Sequence, residues 1–392
     1  MKKKITEISV FEFFMCMFVI TIHLLSDGID TFPKWSGSSI AFFSLTKLIT
    51  FAVPGFVFTS AIKLFYKYGD RKFNYPVFLI GRFLKVYIPY VIAVCIYYLV
   101  FVFCMDLDGF GTFDAKTLFQ FIINGNISAQ FYFVILIVQL YLLMPIWILL
   151  GRIKSKAFGI SFIAVSAILT VLSRMYFPQC AEAVLTFIKN SGLPYTEQIA
   201  VPTLIELSAY TNKFFTSYLV FWVSGMYIGI NYDDFSEKIT SAKPVIYIGW
   251  LVLALSHCIL SYMSFCNLIS YSLEPVIVVL FCIFSIFGFY IYINNLTVSL
   301  EKMGKVFLTS IANASYDIYL IHPLIITLMN YYLGHIELEG TMQRFWITAA
   351  VTYTFSIIFC VLESTIKSNI QRSRKRKSTE KSRKSARRKR YL

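Results

Sequence analysis

The chain has 392 residues, of which 57% are hydrophobic, 18% aromatic and only 15% charged. Soluble domains run at roughly 45–50% apolar and about 25% charged, so a water-soluble fold is excluded. Continuous apolar runs of about 20 residues mean helices that cross a bilayer, and they lack the alternation that a transmembrane barrel requires.

The net charge of +15 is concentrated at one end. Residues 367–392 hold thirteen of the 36 Lys and Arg with one acid, Glu380, which leaves the rest of the chain at +3. A basic segment beside a membrane helix reads as a topology anchor on anionic lipid rather than a nucleic-acid surface. The chain therefore divides into a membrane domain over 1–366 and a disordered, basic cytoplasmic tail over 367–392. The eight cysteines lie mostly in apolar runs without CxxC or metal-ligand spacing, which predicts neither a disulfide framework nor a metal site.

Met1-Lys2-Lys3-Lys4 precedes the first apolar run, but no small-x-small cleavage site follows and Glu12 interrupts the run. The first segment thus reads as an uncleaved helix. Hydropathy predicts an all-α polytopic bundle of about ten transmembrane helices, near 8–27, 39–65, 82–104, 129–150, 157–177, 214–231, 244–264, 271–293, 309–333 and 343–366. One set of connections carries Lys63, Lys67, Arg71 and Lys72, then Arg152, Lys154 and Lys156, then Lys302 and Lys305. The opposite set is poor in basic residues, holding chiefly Lys34, Lys116, Lys189 and Lys213. The positive-inside rule then places both termini in the cytoplasm of a multi-pass protein of the cell membrane. Two outer connections are long, about 105–128 and 178–213, and the second contains Glu182, Tyr195, Glu197, Glu206 and Tyr210. Such loops either cover an external substrate or simply connect helices through solvent.

Two histidines stand in apolar runs, His23 at the end of the first and His322 in Ser315-Tyr316-Asp317-Ile318-Tyr319-Leu320-Ile321-His322-Pro323. An ionisable group in hydrocarbon is costly and usually faces a cavity or a partner. Glu12, Cys16, Val19 and His23 share a helix face, and eleven residues at 1.5 Å rise set Glu12 and His23 about 16 Å apart. Glu12 then belongs near the cytoplasmic end and His23 near the outer end. Ser315, Tyr319 and His322 are similarly co-facial, and Pro323 frees the Tyr319 carbonyl beside them. A neutral imidazole can take a proton from a hydroxyl that attacks an acyl carbon, or it can simply bond a neighbouring helix; spacing alone leaves both readings open. Arg82 and Lys85, three apart at the cytoplasmic start of the third helix, either clamp phosphates or reach to lipid headgroups.

The motifs share an order and spacing. Ile22-His23-Leu24 comes first, then Val53-Pro54-Gly55-Phe56-Val57-Phe58-Thr59-Ser60 and Arg82-Phe83-Leu84-Lys85 with Pro89. Phe131-Tyr132-Phe133, Gln139-Leu140-Tyr141 with Pro145, the Ser315–Pro323 motif and Glu363 follow. In this pattern the chain resembles the acyltransferase-3 family of integral membrane acyltransferases, and within it the IcaC-like branch, over residues 5–366. The resemblance implies transfer of an acetyl or succinyl group from a cytoplasmic acyl-CoA to a hydroxyl of a surface glycan or lipid-linked sugar.

On that resemblance His23 matches the family's essential histidine, and Arg82 and Lys85 match its Arg-x-x-Arg motif with lysine in second place. His322 joins His23 as a catalytic candidate, while Ser60, Ser315 and Tyr319 join the two cations as substrate-binding candidates. Glu12 stands where the family usually carries arginine, and Ala61 where it usually carries glycine. No bound cofactor is implied. Expected partners are membrane lipids, acyl-CoA, the glycan acceptor and glycosyltransferases, with no nucleic acid. The alternative implied by the IcaC-like branch is a non-catalytic glycan exporter or assembly partner of the same fold.

Overall fold

The structure is a computed structural model that describes residues 5–29, 32–69, 72–105, 112–190, 211–299, 302–336, 338, 341–359, 362, 363, 365, 366 and 369. Among these residues it is all helical, with no strand. The helices are α1 (Thr6–Ile29), α2 (Gly37–Leu48), α3 (Ala52–Tyr68), α4 (Tyr75–Arg82), α5 (Ile88–Cys104), α6 (Ala115–Asn124), α7 (Tyr132–Leu142) and α8 (Met144–Gly151). They continue as α9 (Lys156–Asn190), α10 (Leu219–Ile230), α11 (Tyr232–Lys238), α12 (Lys243–Phe265), α13 (Glu274–Ser299), α14 (Lys302–Gly334) and α15 (342–359).

Six helical stretches of the described residues are long and apolar enough to cross a membrane. They are Thr6–Ser26, Gly37–Tyr68, Tyr75–Cys104, Lys156–Phe177, Lys243–Phe265 and Glu274–Ser299. A seventh arises if Ala115–Asn124 and Ala129–Leu142, bent by 54°, form one broken span. The remaining three of the ten expected spans are present as helices that miss the criterion. Phe215–Ile230 is short. In α14 the polar residues Asp317, His322 and Asn330 dilute the apolar run, as Gln343 and Arg344 do in α15. The expected outer loop at 105–128 is not structureless, because Asp114 caps α6 by accepting from the Lys116 and Thr117 N–H groups. The second continues as α9 to Asn190; Tyr195, Glu197, Glu206 and Tyr210, like the Glu182 side chain and the tail beyond 369, lie outside the described residues.

In lipid no hydrophobic force draws helices together, so association rests on close packing. Helix α3 is the hub. Its Gly55 meets Met15 and Phe11 of α1, while Gly225 and Gly229 of α10 lie against the Phe58 and Ile62 carbonyls. Phe11, Phe14, Phe18 and Phe51 surround Phe289 of α13 with ring centroids 5.4–5.8 Å apart. By contrast Val245, Ile248, Val252, Leu255 and Ile259 of α12 point outward, as a lipid-facing surface requires.

Two irregularities shape the interior. Between α4 and α5 the chain widens into a π turn, Phe83–Tyr87, in which the Ile88 N–H donates to the Phe83 carbonyl. Pro89 supplies the reason, since it has no N–H for the Lys85 carbonyl and its ring crowds that group. The second is at Pro323 in α14, where the buried Tyr97 hydroxyl enters the helix, donating to the Leu320 carbonyl and accepting from the Leu324 N–H, both at 2.8 Å. Tyr97→Phe strips this bridge from two buried backbone groups. An unfolding curve in detergent should register a loss of about 1–3 kcal/mol; an unchanged curve would mean that the helix recloses without the hydroxyl.

Candidate functional site

Three breaks in helical structure converge on one point. The turn between α2 and α3 and the first turn of α3 bring Thr50, Val53 and Pro54; the bend between α6 and α7 and the start of α7 bring Ala129, Gln130, Tyr132 and Phe133; the short 3-10 turn Thr211–Lys213 brings Asn212. Together with His23 of α1, Arg174 of α9, Cys282 of α13 and Tyr319 of α14 they enclose a cavity of ≈ 320 Å³. At membrane depth, non-helical backbone is tolerated where it is buried in protein or lines a cavity.

His23 is half-buried and lines this cavity. Its ring lies beside that of His322, with centroids 5.7 Å apart and planes tilted by 38°. His322 is fully buried and its Nδ1 bonds the Ile318 carbonyl at 3.0 Å. A carbonyl only accepts, so Nδ1 carries the proton and Nε2 of the neutral ring is an acceptor. That Nε2 is buried without a hydrogen-bond partner in the structure.

Tyr319 continues the line from His322 toward the other end of the bundle. Its ring stacks on Tyr316 at 6.0 Å and sits 6.2 Å from His322, and its hydroxyl donates to the Gln130 carbonyl. Tyr316 donates to the Val86 carbonyl in the π turn at 2.7 Å. Arg82 stacks on Tyr141 and Phe78 at 5.3 and 5.4 Å, and lines a second, mostly apolar cavity of ≈ 420 Å³. Aromatic side chains thus run from the His23–His322 pair through Tyr319 and Tyr316 to the π turn, whose Val86 and Tyr87 line the second cavity with Arg82.

The other candidates fall around this axis. Lys85 is exposed and lies within the π turn, whereas Arg82 is half-buried at its start. Ser315 is half-buried, and its hydroxyl is turned back to the Ala312 carbonyl at 2.8 Å. Ser60 is half-buried on α3, and Glu363 is half-buried near the C-terminal end of the described helices. Glu12 accepts from Lys63 of α3 instead of pairing with Arg82 or Lys85.

Glu12 is 9% exposed at its side chain and Lys63 42%. Removing the lysine therefore strands a buried carboxylate, whereas removing the carboxylate leaves an ammonium that reaches water. Lys63→Met should cost at least about 2 kcal/mol and Glu12→Gln under about 1 kcal/mol, read from paired denaturation curves. Equal losses would show that the carboxylate is hydrated.

Several residues of consequence carry no motif signature. Arg174 interrupts the apolar run Ile168–Met175, which was the available signal. Lys213, expected in an outer connection, is instead 1% exposed and donates to the Asn124 carbonyl at 2.7 Å, while its own carbonyl accepts from Gln139 at 2.7 Å. A third intramembrane histidine, His257 of α12, is buried with Nδ1 3.1 Å from the Ser261 hydroxyl and its ring 5.3 Å from Phe281, away from the His23 cavity lining.

A family model described as an acyltransferase domain, that of the acyltransferase-3 family, matches residues 5–362. No curated protein and no solved structure is matched by the chain. With nearly its whole length matched and its long apolar helices in place, the chain belongs to the acyltransferase-3 family of multi-pass membrane acyltransferases.

Proposed function

We propose that the protein is a membrane O-acyltransferase that moves an acetyl or succinyl group from a cytoplasmic acyl-CoA to a hydroxyl of an extracytoplasmic polysaccharide or lipid-linked sugar. The observation that carries this reading is the half-buried His23 in a cavity built from three helix breaks, within a family of acyltransferases. His23 takes the proton of the acceptor hydroxyl as its oxygen attacks the thioester carbon, and the CoA thiolate leaves. His322, held as an acceptor at Nε2, orients the His23 ring or the incoming hydroxyl. Arg82 and Lys85 hold the donor's phosphates at the cytoplasmic end, and the pantetheine arm lies along Tyr141, Tyr316 and Tyr319. Ser60, Ser315 and Glu363 support the substrates from the flanks. In this reading ten passes leave both termini in the cytoplasm of a cell-membrane protein, close to the glycosyltransferases that build its acceptor.

Mass spectrometry of alkali-labile acyl groups on the cell's glycan, with and without the protein, tests the reaction. Loss of these groups in its absence supports it. One observation favours the second reading, export or assembly of a glycan: the charge at position 12 is already satisfied by Lys63 and does not add to a phosphate site. Unchanged acylation with lost surface polymer would select that reading.

A further inference from the structure

Among the described residues, Arg174 shares with Arg82 a place against the bundle's aromatic side chains and no carboxylate partner. Glu12 has Lys63, Lys47 has Glu274 at 3.5 Å, and Lys213 holds the Asn124 carbonyl. Arg174 lies within the span Lys156–Phe177, yet no described carboxylate pairs with it. Its Nε donates to the Ser217 carbonyl at 3.0 Å, and its guanidinium carbon sits 5.2 Å from the centre of the Tyr218 ring. These contacts, with a side-chain hydrogen bond to Tyr218, fix its plane, and none of these partners carries a countercharge. The same residue lines the His23 cavity, and no Asp or Glu is among the described residues that line it.

A purely structural arginine would bind its carbonyl and turn its charge to water or headgroups. A guanidinium clamped by a ring and a carbonyl inside a lined cavity is arranged to receive an oxyanion in its fork. The cavity, at ≈ 320 Å³, is at the lower end of small-ligand sites. It has room for a short chain ending in a charge, not for a nucleotide.

We propose that Arg174 forms an anion subsite in the His23 cavity and takes a carboxylate or phosphate borne by one of the two substrates. This rests on the acyl-transfer reading for the substrate's identity, but the subsite itself is a binding property. Two sources share the chemistry: the free carboxylate of a dicarboxylic acyl group, or an oxyanion on the acceptor.

The test uses the full chain in nanodiscs of zwitterionic lipid, with thermal unfolding followed against succinate, neutral succinamide and inorganic phosphate at constant ionic strength. A ligand that binds only the folded chain raises its melting temperature. The expected result is stabilisation by an anion and not by succinamide, with half-saturation at least tenfold weaker in Arg174→Gln and about threefold weaker in Arg174→Lys. Succinate alone points to the acyl group and phosphate to the acceptor. Arg174→Lys carries the comparison if Arg174→Gln does not fold. No anion effect in the wild type, or equal effects in wild type and both variants, overturns the subsite. The two readings fail separately: anion binding that persists in a chain without acyl transfer sinks only the enzyme, and acyl transfer without anion binding sinks only the subsite.

Discussion

His23→Ala should lower ester transfer by about 10²–10⁴-fold, the usual contribution of a positioned acid or base, while the protein accumulates in the membrane at its normal level. The two halves of this expectation have separate physical grounds. His23 faces a cavity and, among the described residues, makes no hydrogen bond that another helix depends on, so a methyl group in its place strands none of them. His322 differs, being fully buried and bonded to its own helix at Ile318 beside Pro323, so His322→Ala combines a chemical loss with a packing loss. Comparing acyl content per molecule of folded protein separates the two variants. Ester content that survives in His23→Ala would remove this ring from the mechanism and leave His322 as the remaining imidazole of the pair.

Legibility in the sequence followed the kind of force involved. Lipid exposure acts residue by residue, so the helical class and most helix positions could be read from hydropathy. The number of spans was harder, since polar residues serve the interior of some helices. In α14 His322 packs against His23 and Asn330 accepts from Arg344, and these residues with Asp317 also dilute its apolar run. The placing of Glu12 and His23 at opposite ends of α1 followed from helix rise alone, but the partner of Glu12 did not. Lys63 is 51 residues away on another helix, and only the packing of α1 on α3 around Gly55 selects it over Arg82.

The site was legible where a motif marks it and hidden where the backbone leaves its helix. His23, Tyr319 and Arg82 were singled out by position, spacing and the family resemblance, and the structure sets the first two on one cavity and Arg82 on another. The spacing of Arg82 and Lys85 assumed an α-helix, whereas Lys85 lies in a π turn next to Pro89. Arg174 went unread because one charge in an apolar helix end looks like an interface anchor. Only the third dimension shows that it shares a cavity with His23.

The largest effect on stability is expected at Gly225, where α10 crosses α3. A Cβ built there lies 2.4 Å from the Phe58 carbonyl oxygen and 2.8 Å from the Ala61 Cβ, and one at Gly229 lies 2.6 Å from the Ile62 carbonyl oxygen. The four-residue spacing of the two glycines is the small-xxx-small pattern that lets helix backbones touch in a membrane. A flexible side chain could rotate away, but a backbone carbonyl cannot, so Gly225→Val must push the helices apart. The cost should be about 3 kcal/mol or more, at the upper end for overpacking, and little monodisperse protein should survive detergent extraction. Gly81→Ala is the control, since no atom lies within 4 Å of its added Cβ. It should be neutral or stabilising by up to about 1 kcal/mol through helix propensity. Ala61→Gly in the Gly225→Ala background removes one of the two clashes and leaves the carbonyl, so rescue should be partial. Function should follow stability here, because α3 also carries Val53 and Pro54 to the His23 cavity and Lys63 to Glu12. A folded Gly225→Val variant with full acyl transfer would show that the α3–α10 crossing neither holds the bundle together nor shapes its site.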